Sequence, residues 1–132
     1  MLQPQQNKYF ETAVQSATPA QLLIMLCDGA IRFNKQFIEA LKNNNYEDAN
    51  RYVIRVQDII KEFVITLDKK SPIAENLLIM YDYIEFRLIE ANVHKSVESA
   101  EEALGYLVEL KNTWVEANKL AAASKPAGAT HG

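Results

Sequence analysis

The chain has 132 residues, with 48% hydrophobic and 23% charged, which is the balance of one globular domain rather than a disordered chain. Its four glycines and four prolines fall mostly near the ends, so residues 20–118 contain only Gly29, Pro72 and Gly105. A β-sandwich or barrel needs turn residues about every 8–12 positions. The sequence therefore excludes an all-β fold and predicts an all-α one.

The charge pattern and the single cysteine limit the environment and the partners. The formal net charge is −3, the arginines are dispersed, and no basic run is longer than Lys69-Lys70, which argues against nucleic-acid binding. Cys27 has no partner for an internal disulfide, as is typical of a reducing compartment. The first residues lack the basic and apolar regions of a secretory signal, and no stretch approaches the ~20 apolar residues of a membrane span. We therefore expect a soluble, cytoplasmic protein without membrane insertion.

The N-terminal residues 1–17 are polar and rich in glutamine. They contain one short apolar set at helical spacing, which includes Tyr9 and Phe10. We expect them to form a short segment that can cap a groove on the rest of the protein.

The first long helix begins with the sequence Thr18-Pro19-Ala20-Gln21. Thr18 is a suitable N-cap, Pro19 suits the first helical position, and Gln21 completes a capping box. Apolar residues then recur at steps of three and four until Asn43-Asn44-Asn45 ends the helix.

Three further helices follow, each with an apolar stripe at helical spacing. The second spans about residues 47–67, and the third opens with Ser71 as N-cap and Pro72 as first residue and ends near residue 92. The fourth begins after a candidate cap at Ser96 and ends near residue 121, before a tail at 122–132 that we expect to be disordered. Because loops of about five residues force neighbouring helices to run antiparallel, residues 18–121 are predicted to form an up-down-up-down four-helix bundle.

The third helix carries more apolar surface than one core-facing stripe requires. Its first stripe consists of Ile73, Leu77, Met80, Tyr81, Ile84, Leu88 and Ala91. A second stripe lies on the opposite side and consists of Ile79, Tyr83, Phe86, Ile89 and Val93. The first helix has a weaker second stripe, made of Ile24, Cys27, Ile31 and Ile38. A bundle buries one face of each helix, so these second stripes need another cover.

Three covers are open at this point: wide helix–helix contacts, the N-terminal segment, or an amphipathic helix of a partner lying in a groove. A homodimer interface would explain the same pattern. If a partner is the cover, we expect it to contact Tyr9, Phe10, Ile24, Cys27, Ile31, Ile79, Tyr83 and Phe86.

The residues needed for catalysis are scarce. The histidines are His94 and His131, no Glu-x-x-His pair occurs, and Gly29 stands alone rather than in a phosphate-binding loop. Cys27 lies on an apolar stripe, without a base at helical spacing. We therefore expect no metal, no cofactor and no enzymatic activity.

An ordered series of short segments resembles the flagellin-specific export chaperones of the FliS family. The segments include Ala17-Thr18-Pro19, Asp28-Gly29, Gln57-Asp58-Ile59-Ile60, Ile73-Ala74-Glu75-Asn76-Leu77, Tyr81-Asp82-Tyr83 and Trp114. The series keeps its order and spacing from about residue 8 to residue 120. Two places depart from the family pattern: Ser71-Pro72 stands where a Gly-Gly pair is usual, and Cys27 stands where tyrosine is usual.

The resemblance implies an antiparallel helical bundle whose N-terminal segment can cap a hydrophobic groove. It also implies a cytoplasmic export chaperone that binds the C-terminal helical region of flagellin, prevents premature polymerisation and delivers it to the flagellar type III export apparatus. The implied partners are therefore flagellin, components of the export gate and, as a further option, a co-chaperone.

Overall fold

The computed structural model describes residues 17–123, and four α-helices occupy almost all of this range. They are α1 (Pro19–Lys42), α2 (Tyr46–Thr66), α3 (Ala74–His94) and α4 (Val97–Ala123). The described residues contain no β-strand, so the all-α prediction is confirmed. The predicted N-terminal segment and tail lie outside the described residues except for Ala17 and the last two residues of α4, and they remain predictions.

Local sequence sets both ends of α1 as expected. The Thr18 hydroxyl accepts a hydrogen bond from the Gln21 backbone N–H at 3.1 Å, and the Gln21 side chain accepts one from the Thr18 N–H at 2.9 Å. Asn44 then adopts a left-handed conformation with φ of 57°, which an asparagine tolerates well. Asn45 caps α2 by accepting a hydrogen bond from the Asp48 N–H.

The predicted start of α3 is wrong by about two residues. Ser71, Pro72 and Ile73 form a turn in which the Ala74 N–H bonds to the Ser71 carbonyl, and the helix begins at Ala74 without a side-chain cap. At its other end α3 continues through His94 and stops where Lys95 turns left-handed, with φ of 54°. Ser96 caps α4 as predicted, since its hydroxyl accepts a hydrogen bond from the Ser99 N–H.

Contacts between neighbouring helices show that the bundle is antiparallel. Early residues of one helix meet late residues of the next, as in the pairs Asn34 with Ala100, Asp28 with Lys111, Asn50 with Asn92, Gln57 with Glu85, and Arg87 with Ser99. Helix α1 packs against α2 and α4, and α3 packs against the same two helices. Helices α1 and α3 therefore occupy opposite corners of the bundle.

The core consists of the inward stripes of all four helices. The ring of Tyr81 stacks on that of Phe63 with centroids 5.3 Å apart, and buried leucines and isoleucines extend the core along the bundle. One amide lies within it: Asn34 is fully buried and donates its Nδ2 hydrogen to the Ala100 carbonyl at 3.1 Å. This bond joins α1 to α4 across the core.

Candidate functional site

The outer face of α3 is a contiguous apolar surface that the bundle does not cover. We define this outer face as Ile79, Tyr83, Phe86, Ile89 and Val93, whose exposed fractions run from 39% for Tyr83 to 65% for Val93. On the inner side of the same helix, Leu77, Tyr81, Ile84, Leu88 and Ala91 are buried. Helix–helix contacts within the bundle therefore do not bury the second stripe of α3. Contiguous exposed apolar surface of this kind is typical of an interaction site.

A groove between α2 and α3 adjoins this outer face. The α2–α3 groove has a volume of about 550 Å3 and is lined by Ile60, Lys61, Val64, Ile65, Leu78, Tyr81, Asp82 and Glu85. On the α2 side Ile54 and Ile65 are exposed, Ile65 by 72%. Groove and outer face together offer apolar surface on two adjacent sides of α3, enough for a helix to lie along the bundle.

Polar side chains mark one wall of the groove. Glu85 is half-buried and accepts a hydrogen bond from Gln57 Nε2 at 2.8 Å. Burial raises the pKa of the Glu85 carboxyl, an effect that the Gln57 hydrogen bond and the nearby Lys61 oppose. Most of the residues that line the groove are apolar or aromatic, and the Glu85 carboxylate among them can accept a hydrogen bond from a ligand.

Tyr83 is held against α4 rather than free to turn. Its hydroxyl donates to Glu102 Oε2 at 2.8 Å, and its ring meets the edge of Tyr106 with centroids 5.5 Å apart. The hydrogen bond to Glu102 raises the pKa of Tyr83. Arg87 completes the network, since its Nε lies 2.6 Å from Glu102 Oε1 and it donates to the Ser99 hydroxyl at 2.9 Å. Tyr83 is therefore a fixed wall at the α4 side of the outer face, beside the more exposed Phe86.

The residues predicted on α1 are not part of this surface. Cys27 is fully buried, Ile31 is half-buried and packs against the core, and Ile24 is half-buried. Burial raises the pKa of the Cys27 thiol to about 12, with a further contribution from Asp28. Because α1 and α3 lie at opposite corners, the predicted groove built from both second stripes does not form. The predicted α3 residues are exposed, so their contact with a partner stays a prediction, whereas Cys27 belongs to the core and Ile31 packs against it.

Tyr9 and Phe10, the other predicted contacts, lie outside the described residues. The described chain enters the bundle beside a depression of about 240 Å3, lined among others by Pro19, Leu23 and Trp114. The buried Trp114 Nε1 has no hydrogen-bond partner among residues 17–123. Tyr81 lines both this end depression and the α2–α3 groove, so the two cavities adjoin.

Sequence reasoning missed the groove and the end depression. Val64, Leu78 and Glu85 lie at the flanks of their helices, between the core side and the outer side. A residue on the flank of a helix lines either a groove or a helix–helix interface, depending on which helix packs beside it. The sequence therefore predicts a groove at these positions only once the neighbouring helix is known.

Residues 17–123 show no site for metal chemistry and no membrane span. No group of three or more His, Cys, Asp or Glu side chains in this range could hold a metal ion. Within the same range, no helix combines the length and the hydropathy needed to cross a lipid bilayer.

Comparison with known proteins identifies the family. The family model described as flagellar protein FliS matches residues 1–121. The chain belongs to the FliS family. It is similar to the flagellar secretion chaperone FliS of Bacillus subtilis, with 31% identity over 83% of this chain and 82% of that protein. It is also similar to the proteins of the same name from Salmonella typhimurium, with 32% identity over 79% of each chain, and Escherichia coli, with 28% identity over 80% of each.

The family resemblance read from the sequence is therefore confirmed, and so is the helical bundle that it implied. The family is one of chaperones of the flagellar secretion system, and a chaperone implies a substrate protein. Within this chain, the α3 outer face and the α2–α3 groove are the described surfaces best suited to receive one.

Proposed function

We propose that this protein is a cytoplasmic export chaperone that binds the C-terminal helical region of flagellin on the outer face of α3 and in the α2–α3 groove. The observation that carries the proposal is the exposed second stripe of α3, in a chain whose family is that of flagellar secretion chaperones. Flagellin helices that assemble into the filament carry apolar faces. Covering such a face keeps the subunit monomeric until it reaches the export apparatus.

The energy for this binding comes from apolar burial. Each Å2 of apolar surface removed from water contributes roughly 25 cal/mol, less the cost of ordering the flagellin segment. No nucleotide or covalent step is required, because concentration and affinity determine how much chaperone is occupied. The protein therefore acts as a binding protein and not as an enzyme. Components of the export gate, and a co-chaperone as a further partner, belong to the delivery step of this proposal.

The N-terminal segment is the proposed occupant of the groove when flagellin is absent. A chain spans at most about 3.3–3.6 Å per residue, so Tyr9 can lie at most about 26–29 Å from Ala17. The outer face from Ile79 to Val93 is about 21 Å long at 1.5 Å per residue. Pro19, two residues after Ala17, lines the end depression, and Tyr81 lines both that depression and the α2–α3 groove. The proposal places Tyr9 and Phe10 there, where flagellin would displace them.

Calorimetric titration of the full chain with the flagellin C-terminal region tests the proposal. The variant Ile79→Asp/Phe86→Asp introduces two charges on exposed positions, so it should fold normally. We expect its affinity for flagellin to fall at least tenfold, which is about 1.4 kcal/mol. Tyr83 is left unchanged, because an aspartate there would also disturb Glu102 and Arg87.

The matched control is Val108→Asp/Leu120→Asp, which adds the same charge at two exposed apolar positions of α4. It should bind flagellin like the unmodified protein. Equal losses in both variants, or none in either, would remove the outer face of α3 from the proposal. Light scattering decides the remaining alternative, since a stable dimer that ignores flagellin would assign the outer face to self-association.

A further inference from the structure

Three of the four arginines of the chain converge at the seam between α1 and α2. In the sequence Arg32 is separated from Arg51 and Arg55 by about twenty residues. The antiparallel packing of α1 and α2 brings the three to one level of the bundle, around the rings of Phe33 and Tyr52. The sequence alone shows them as dispersed charges.

The two aromatic rings form the base of this cluster. Phe33 and Tyr52 are half-buried, and each packs against the hydrophobic core. The guanidinium carbon of Arg32 lies 5.1 Å from the Phe33 centroid, and that of Arg55 lies 5.8 Å from the same ring. Stacking on an aromatic face limits the motion of a guanidinium group, which keeps its hydrogen-bond donors available to a ligand.

A small depression lies between these side chains. Phe33, Arg51, Tyr52 and Arg55 enclose about 170 Å3, which is the size of one amino-acid side chain rather than of a cofactor. Its walls are aromatic and its rim is cationic. This combination suits an apolar or aromatic side chain flanked by carboxylates.

The charges of the cluster are only partly neutralised. Arg51 pairs with Asp48, whereas Arg32 and Arg55 have no carboxylate within salt-bridge distance among residues 17–123. Elsewhere in the bundle Arg87 is paired with Glu102 and Lys111 with Asp28. Arg32 and Arg55 thus make a local positive site on a protein whose formal net charge is −3.

From this juxtaposition we propose that the α1–α2 seam binds an acidic segment of a second protein. The forked guanidinium groups of Arg32 and Arg55 would pair with its Asp or Glu carboxylates, and the depression would take an adjacent apolar side chain. Three arginines are too few for the continuous basic surface that nucleic acids require. The depression at the seam shares no lining residue with the α2–α3 groove or the outer face of α3, so the acidic partner and the flagellin segment would contact different residues.

Fluorescence anisotropy with a short labelled peptide of Asp and Glu residues around one central Phe tests this proposal on the full chain. We expect saturable binding that weakens as salt is raised. The variant Arg32→Gln/Arg55→Gln should lose at least tenfold in affinity, and both positions are exposed, so the fold should be unaffected. Arg32→Lys/Arg55→Lys keeps the charge but loses the planar fork, and it should lose several-fold.

The matched control is Lys69→Gln/Lys70→Gln, which removes the same charge from exposed positions in the turn before α3. It should bind the peptide within twofold of the unmodified protein. The proposal is overturned by the absence of saturable binding, by equal losses in the control, or by full affinity in the lysine variant. Competition by inorganic phosphate that is as strong as competition by unlabelled peptide would overturn it in favour of a simple anion site. Self-association that the glutamine variant abolishes would assign the seam to a second copy of this chain.

Discussion

Helices α1 and α3 each carry two apolar stripes, yet only one of them keeps its second stripe exposed. On α1 the second stripe contributes Cys27 and Ile38 to the core, with exposed fractions of 0% and 7%. On α3 the corresponding residues stay on the surface, with Ile79 at 63% and Phe86 at 50%. The number of apolar residues is similar in the two helices, so something other than composition separates them.

The angle between the stripes explains the difference. At 100° per residue, the two stripes of α1 are centred about 100° apart, and those of α3 about 180° apart. A helix at the corner of a four-helix bundle contacts two neighbours, which lie about a right angle apart. Both stripes of α1 therefore meet a neighbour, α2 or α4, whereas the second stripe of α3 points away from both. Angular separation, rather than the existence of a second stripe, indicates a binding face.

The strongest test of this comparison places the same charge on each second stripe. Cys27→Asp buries a carboxylate in the core, where the nearby Lys111 is already paired with Asp28, so we expect the free energy of unfolding to fall by at least ~4 kcal/mol or the protein not to fold. Ile79→Asp places the carboxylate in water and should change the free energy of unfolding by no more than ~0.5 kcal/mol. Urea denaturation followed by circular dichroism measures both values. Similar losses in the two variants would mean that the outer face of α3 is not exposed in solution.

A second test compares two residues of α3 itself. Leu88 is fully buried and Phe86 is half exposed, although only one residue separates them. Leu88→Ala should cost about 2–5 kcal/mol because it leaves a cavity in the core. Phe86→Ala should cost clearly less than 1 kcal/mol despite the larger side chain removed, and the same denaturation measurement applies. A larger cost at Phe86 than at Leu88 would reverse the assignment of inner and outer faces.

The sequence predicts local features of the molecule well. The capping box of Thr18 and Gln21, the cap at Ser96 and the two opposite stripes of α3 depend on residues within a few positions of each other. The start of α3 is the exception, because Ser71-Pro72 suits a helix start but the chain uses both residues in a turn.

Features that depend on which helices are neighbours could not be predicted from the sequence. Periodicity groups Cys27 with the α3 residues as a partner contact, because a stripe cannot be assigned to a neighbouring helix without the bundle arrangement. The α2–α3 groove with Glu85 and the cluster around Phe33 are likewise formed by pairs of helices. Periodicity gives the direction of a side chain from its own helix axis, and packing then decides what that side chain meets.

The smallest expected effect concerns the buried thiol of the α1 stripe at high pH. Burial raises the pKa of Cys27 from 9.0 to about 12, so above about pH 9 the unfolded chain releases a proton that the folded chain keeps. The contribution of the Cys27 thiol to the free energy of unfolding is fully present well below pH 9 and is lost as the pH rises towards 12. Between about pH 8 and pH 10 the free energy of unfolding falls by about 1.4 kcal/mol from this cause. Cys27→Ala removes this loss, so the stability advantage of the unmodified protein over the variant should shrink by that amount across the interval. The pKa of Tyr81 is raised to about 12 by burial and, to a lesser extent, by Cys27 itself. Up to pH 10 the folded form of either protein keeps this tyrosine protonated, so over the measured interval it cancels in the difference. A constant difference between the two proteins would show that the thiol ionises equally in both states, and hence that the second stripe of α1 is open to water like that of α3.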